Sequence, residues 1–144
     1  MEALQSPLNI KDFSVFECEM KFISPEDDDT QIVLSDLPLD IDYDYYAPKD
    51  DDQAIRMIEM NLKVNSDKKP GYSINLIVAG IFEIEDIDNL NQELVVNLFG
   101  ISALNMMISQ TRAFLISVTT YGPFGHYLLP AIDIGDLRKK KSDE

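Results

Sequence analysis

The stretch that most constrains the fold is YSINLIVAGIFEIEDI, residues 72–87. Tyr72, Ile74, Leu76, Val78, Phe82 and Ile84 fall on one parity, the period of a strand with one buried face. The other parity is polar at its ends, with Ser73, Asn75, Glu83 and Glu85, but Ile77, Ala79 and Ile81 make its middle apolar too. At about 3.3 Å per residue the strand would reach roughly 50 Å, whereas strands are commonly about 5–6 residues long. A sheet built on it needs a cover on one face and carries apolar area at the centre of the other.

Three further segments read as strands. In FSVFECEMKF (13–22), Phe16, Cys18, Met20 and Phe22 share one face, and Glu17, Glu19 and Lys21 the other. LDIDYDYY (39–46) alternates Leu39, Ile41, Tyr43 and Tyr45 with three aspartates, and 53–66 aligns Ile58, Met60, Leu62 and Val64. Residues 24–38 have loop chemistry around Ile32, Val33 and Leu34, and DKKPG (67–71) reads as a hairpin loop. Strands joined mainly by turns predict an antiparallel sheet.

After Ile87 the period changes to that of a helix over 88–122, with Asp88 or Asn89 as its cap and Gly100 as a break or kink. Leu104, Ile108, Leu115 and Val118 form one apolar stripe; Ala103, Met107, Ala113 and Phe114 form a second beside it. Asn105, Ser109 and Arg112 make the wet wedge. An apolar arc of roughly 200° is about twice what one sheet needs, so the second stripe predicts an interface with another copy of the chain. The expected fold class is α+β: a four-stranded antiparallel sheet with a long C-terminal helix packed on it. One domain over 1–137 is expected, followed by a disordered charged tail, 138–144.

The chain has 144 residues, a formal net charge of −14 and one cysteine. So strong an acidic balance disfavours nucleic acid, whose binding depends on Lys and Arg neutralising phosphates. It would attract basic partners through a long-range field. No uninterrupted apolar run approaches a membrane span, and the N-terminus lacks the pattern of a signal peptide. With Cys18 unable to pair internally, a reducing, cytoplasmic setting is expected.

Catalytic chemistry finds little footing. The aspartates at 40, 42 and 44 resemble the start of a calcium loop, but Tyr45 stands where the turn glycine belongs and Asp51 where the bidentate glutamate belongs. His126 has no evident partner, and Cys18 sits on an apolar strand face. Phosphate loops, C-x-x-C and nucleophile elbows are absent from the sequence. The expectation is a non-enzymatic protein without metal or cofactor. Six methionines, several in the helix and third strand, suit a surface that adapts to varied apolar partners.

GIFEIEDI (80–87), the helix with Asn105 and Arg112, and YGPFGHYLLPAIDIGDL (121–137) resemble the SecB family of protein-export chaperones. The likeness runs over roughly residues 10–137, by pattern alone in the first half. It implies a Greek-key-like crossover in the sheet and a dimer of dimers, formed through the long helix. It also implies ATP-independent holding of unfolded polypeptides in apolar grooves and their delivery to the SecA motor. By that resemblance 24–38 is the crossover loop, and Ile32, Val33, Leu34, Leu37, Tyr43 and Tyr45 are the candidate client contacts. An acidic rim would draw basic clients. Glu19 would be the motor contact, but Ile23, Ser73 and Asn75 depart from the family's acidic patch there. Leu104 and Ser109 replace its helix prolines. Other members of the wider family serve antitoxins, a role compatible with those departures. A dimeric protein binding a small apolar ligand is the reading from a different class.

Overall fold

A computed structural model describes residues 1–144. The sheet has four strands, β1 (Leu8–Ile23), β2 (Leu39–Tyr46), β3 (Ile55–Val64) and β4 (Gly71–Ile84), in the order β1-β4-β3-β2, all antiparallel. The long apolar stretch thus forms a central strand. Its even residues, from Tyr72 to Ile84, are buried together with Ile58, Met60, Leu62 and Val64 of β3. The alternation ends at Asp86, whose left-handed backbone (φ 53°) turns the chain out of the sheet into a single 3-10 turn, Ile87–Asn89.

β1 departs from simple alternation. It begins at Leu8 and carries two bulges, between Ile10 and Asp12 and between Val15 and Glu17. Each inserts one residue and shifts the phase. Val15 therefore pairs with Val78 and Cys18 with Leu76, while Phe16, expected in line with Cys18, falls in the second bulge and is exposed. Cys18 is exposed as well; partial desolvation raises its thiol pKa, which disfavours the thiolate.

Because β1 and β2 are opposite edges, residues 24–38 must cross the end of the sheet, as a Greek-key-like crossover does. Leu37 and Ile32 reach over Gly71 there. Asn65 fixes the crossing point. Its backbone N–H donates to Pro38 O at 2.7 Å, and its buried amide donates to Lys69 O and Tyr72 O at 2.7 and 2.9 Å.

The helical segment Gln92–Thr119 lies on the even face. It comprises α1 (Gln92–Asn97), a π-turn (Leu98–Ser102) and α2 (Ala103–Thr119). The cap is Asn91, whose side chain accepts from Leu94 N at 2.7 Å, rather than Asp88 or Asn89, which belong to the preceding 3-10 turn. Gly100 lies in the π-turn that interrupts the helix between the short α1 and the long α2. By length and apolarity this helix could cross a membrane, but here it is the core helix: Leu104, Met107, Ile108 and Leu115 are buried against the sheet. Fully burying each such side chain contributes about 1.5–3 kcal/mol.

Beyond α2 the loop is pinned by Tyr72, whose hydroxyl donates to Gly125 O at 2.8 Å and accepts from Phe124 N at 3.1 Å. A β-carbon at Gly122 would run into that hydroxyl. The chain then forms α3 (Ile134–Ser142), capped by Asp133, with Lys139, Lys140 and Lys141 in its last turn. It occupies most of the segment expected to be a disordered tail. Lys141 holds it down by ion pairs to Asp42 (2.8 Å) and Asp44 (3.1 Å). Two of the three aspartates whose spacing hinted at calcium, Asp42 and Asp44, are thus an anchor for a lysine.

The opposite face of the sheet is uncovered at its centre. Ile81 is 37% exposed and Ile77 half-buried, while small Ala79 is sheltered by its neighbours.

Candidate functional site

An apolar depression forms where the helix crosses the far end of β2 and the start of β3. Strand alternation puts Tyr45 on the helix-facing side, and its hydroxyl donates to Phe99 O at 2.9 Å, in the π-turn. Burial of that hydroxyl, with a smaller contribution from Tyr43, pushes its pKa up to about 12. Tyr43 stands edge-on to it at 5.8 Å and is buried.

Arg56 closes the depression from β3. It pairs across the sheet with Phe82, so its side chain rises on the helix face, and its guanidinium stands 5.8 Å from the centre of the Phe99 ring. Nη1 donates to Asp52 O and Ile55 O, and Nη2 to Gln53 Oε1; Nε donates to nothing, and no carboxylate pairs with the group. Ile87, Leu90, Val95 and Val96 complete an open groove of about 570 Å³, within the usual range for ligand sites. The 3-10 turn and the Asn91 cap set the angle at which α1 leaves the sheet, and so where these apolar side chains stand.

Past Tyr45 and Gly100 the groove continues into a second depression of about 630 Å³ between β2 and α3. Its wall is cationic: Arg138, Lys139 and Lys141 against the single carboxylate Asp44. Arg138 crosses the helix at Gly100, where a β-carbon would stand 3.1 Å from its Nη2. Lys141 is committed to its two aspartates, whereas Arg138 and Lys139 have no ion pair.

The structure divides the sequence-derived candidates. Tyr45 is in the groove, 39% exposed, and Tyr43 lies beneath the α3 end. Ile32, Val33, Leu34 and Leu37 sit at the opposite end of β2; Leu34 and Leu37 pack half-buried on the core, and Val33 is exposed. Among the helix candidates, Ala103 and Met107 are fully buried in the core of the single chain and offer no surface to another copy. Helix and sheet meet across both predicted stripes, since 103 and 107 adjoin 104 and 108 on the buried side. Ala113 is exposed and Phe114 half-buried. Arg112, placed in the wet wedge, is half-buried and donates to Leu129 O and Pro130 O at 2.8 and 3.0 Å. Glu19 is exposed on the open sheet face opposite Asn75, with Ser73 buried next to it and Ile23 at the strand end.

Arg56, Phe99, Leu90, Val96 and Arg138 were not singled out from the sequence. The one available signal is an arginine within a largely apolar strand, AIRMIEM. The anticipated acidic rim is not what borders the groove either; cations outnumber carboxylates in its lining, where only Asp44 and Asp88 are acidic.

No family model matches the sequence, and no curated protein matches it in sequence. Among solved structures, the fold is similar to the Mycobacterium tuberculosis Rv1957 SecB-like chaperone, determined in complex with a ChAD peptide from the Rv1956 HigA1 antitoxin. Identity is 12%, the TM-score is 0.53, and the match covers 88% of this chain and 91% of that one. A protein of unknown function from Streptococcus agalactiae matches at 10% identity and a TM-score of 0.46, over 86% of this chain and 97% of that one. The four-stranded antiparallel sheet, its crossover and the long helix on one face make this a SecB-like α+β fold.

Proposed function

We propose that this protein is a non-enzymatic, ATP-independent holdase that takes extended apolar segments of unfolded polypeptide into the groove between β2, β3 and the helix. The observation that carries this reading is the groove itself. It is open along its length rather than closed around a small ligand, and it is lined by Tyr45, Leu90, Val95, Val96 and Phe99 on a SecB-like scaffold. Binding there requires neither cofactor nor metal.

Homo-oligomerisation belongs to the same reading. β1 is a long edge strand, and Val15, Phe16, Met20 and Phe22 are 37–58% exposed along it. An apolar edge of that length is an invitation to pair. The setting is the cytoplasm, where the exposed thiol of Cys18 stays reduced. Delivery to SecA would use the uncovered sheet face at Glu19.

The test is suppression of light scattering by a denatured, slow-folding substrate, without nucleotide. Near-stoichiometric protein should keep the substrate soluble, and Val96→Asp, at an exposed position of α1 in the groove, should abolish the effect while leaving the fold intact. No suppression by the wild type would sink the general holdase. A second reading, a chaperone dedicated to one partner such as an antitoxin, is favoured by the antitoxin peptide seen on the M. tuberculosis protein. It predicts binding of one defined segment and indifference to unrelated unfolded chains.

A further inference from the structure

The groove runs against the electrostatics of the rest of the molecule. The chain has 26 acidic side chains and only 12 Lys and Arg. Only Lys11, Lys140 and Lys141 form ion pairs, so what sets the groove apart is its local balance of charge and not the lack of a partner as such. The two joined depressions nevertheless hold four cations against the carboxylates of Asp44 and Asp88, and three of those cations, Arg56, Arg138 and Lys139, pair with no acid. The two guanidiniums flank consecutive residues of the helix, Arg56 beside the Phe99 ring and Arg138 beside Gly100. Tyr45 and Gly100 line both depressions, with Arg56 in the first and Arg138 in the second.

A guanidinium left without a carboxylate beside apolar side chains is a preorganised acceptor for one. It is planar, always charged, and offers donors in a fixed fork. On Arg56 the Nε–H remains unused, and the bonds made by Nη1 to Asp52 O and Ile55 O hold the group in place. Arg138 makes no hydrogen bond to any side chain or carbonyl and is free to turn toward an occupant.

Resting on the holdase reading, we infer that the groove selects extended polypeptide segments in which Asp or Glu is interspersed with apolar residues, the carboxylates being received by Arg56 and Arg138. A long-range field of net charge −14 draws basic chains toward the surface; the groove itself discriminates in the opposite sense. Surface attraction and groove selection then differ in their response to salt. Exposed charges are screened beyond about 10 Å at roughly 0.1 M salt, whereas a partly desolvated Arg–carboxylate pair is screened much less.

The experiment measures fluorescence anisotropy of a short labelled peptide that alternates Leu and Phe with Glu, and of its Gln and Lys counterparts, against the full chain. At about 0.15 M salt the Glu peptide should bind about tenfold more tightly than the Gln peptide, and the Lys peptide should bind most weakly. The Glu-to-Gln ratio should hold or rise as salt increases from low values, because screening removes the overall repulsion first. Arg56→Gln combined with Arg138→Gln should bring the ratio close to one, with an unchanged circular dichroism spectrum showing that the variant folds. Arg56→Glu with Arg138→Glu should reverse the preference toward the Lys peptide. Equal binding of Glu and Gln peptides by the wild type, or tighter binding of the Lys peptide, would overturn the acid selection and leave the holdase reading standing. So would a Glu preference that survives in the double Gln variant. Binding of none of the three peptides would overturn both.

Discussion

Asn65 carries more of the architecture than its place in a hairpin turn suggests. It adopts φ 59°, a left-handed conformation that asparagine tolerates better than most residues, and it is fully buried. Besides the two bonds from its amide nitrogen, its side-chain oxygen accepts from Lys69 N at 2.9 Å, and its backbone N–H ties Pro38 to the β3–β4 turn. Asn65→Ala removes the three side-chain bonds, strands buried backbone groups and puts a β-carbon in the left-handed region. Urea unfolding should show a loss of about 2–4 kcal/mol. Asn65→Gly should lose about 1 kcal/mol less, since only the hydrogen bonds go. A change within about 0.5 kcal/mol for Asn65→Ala would mean that the crossover is held by Leu37 and Leu39 alone. The sequence NSDKKPG announces a turn but not this hub, because its acceptors, Lys69 O and Tyr72 O, converge only when the hairpin closes.

At the scale of the element, α3 is the part whose order depends on charge. Asp42 has its pKa lowered, first by the hydrogen bond from Lys141 and further by its bond from Tyr43 N; Lys141 has its pKa raised by Asp42 and then Asp44. A depressed carboxylate stabilises the fold above its unfolded pKa, about 4, and that contribution disappears as pH falls through the folded value. The raised lysine contributes below its unfolded pKa and loses its contribution only in strongly alkaline solution. Backbone 15N relaxation should therefore find residues 134–142 rigid at about pH 6 and loosened at about pH 3, with the sheet rigid at both. Lys141→Met should be loose at both pH values, with little change in melting temperature, because exposed ion pairs contribute little to global stability. A helix still rigid at about pH 3 would show that Ile132, Ile134 and Leu137 anchor it without the ion pairs. The second depression lies against this helix, so its cations Arg138 and Lys139 hold their positions only while α3 is docked.

For the whole molecule the open question is what covers the apolar surface left over. The helix covers the even residues of β4 and their partners in β3, and even Ala103 and Met107 are taken up inside one chain. The surplus lies instead along β1 and at Ile77 and Ile81 of the outer face. Light scattering should give the mass of two chains or more, and Phe16→Glu with Met20→Glu should reduce it to one chain. Neither side chain is buried, so this variant should keep its circular dichroism and its unfolding midpoint. A wild-type monomer would place the exposed β1 edge among client contacts rather than between copies.

The sequence by itself determined the periods and therefore the layers. Alternation over 39–46 and 72–84 and the helical spacing after Asn91 depend on local geometry, so they are legible without the fold. With them came the antiparallel sheet, the covering helix and Tyr45 on its inner face. Tertiary structure alone decided the phase of β1, because a bulge inserts one residue without any sequence mark that alternation can register. It also decided which helix stripe was spent on the core, since that depends on how closely α2 settles on the sheet. Above all it decided the groove. Arg56 and Phe99 are brought into contact by the register of β3 against β4 and by a π-turn, and Arg138 arrives from the other end of the chain. A binding surface made of residues so far apart in sequence has no period to read; it exists only once the chain has folded.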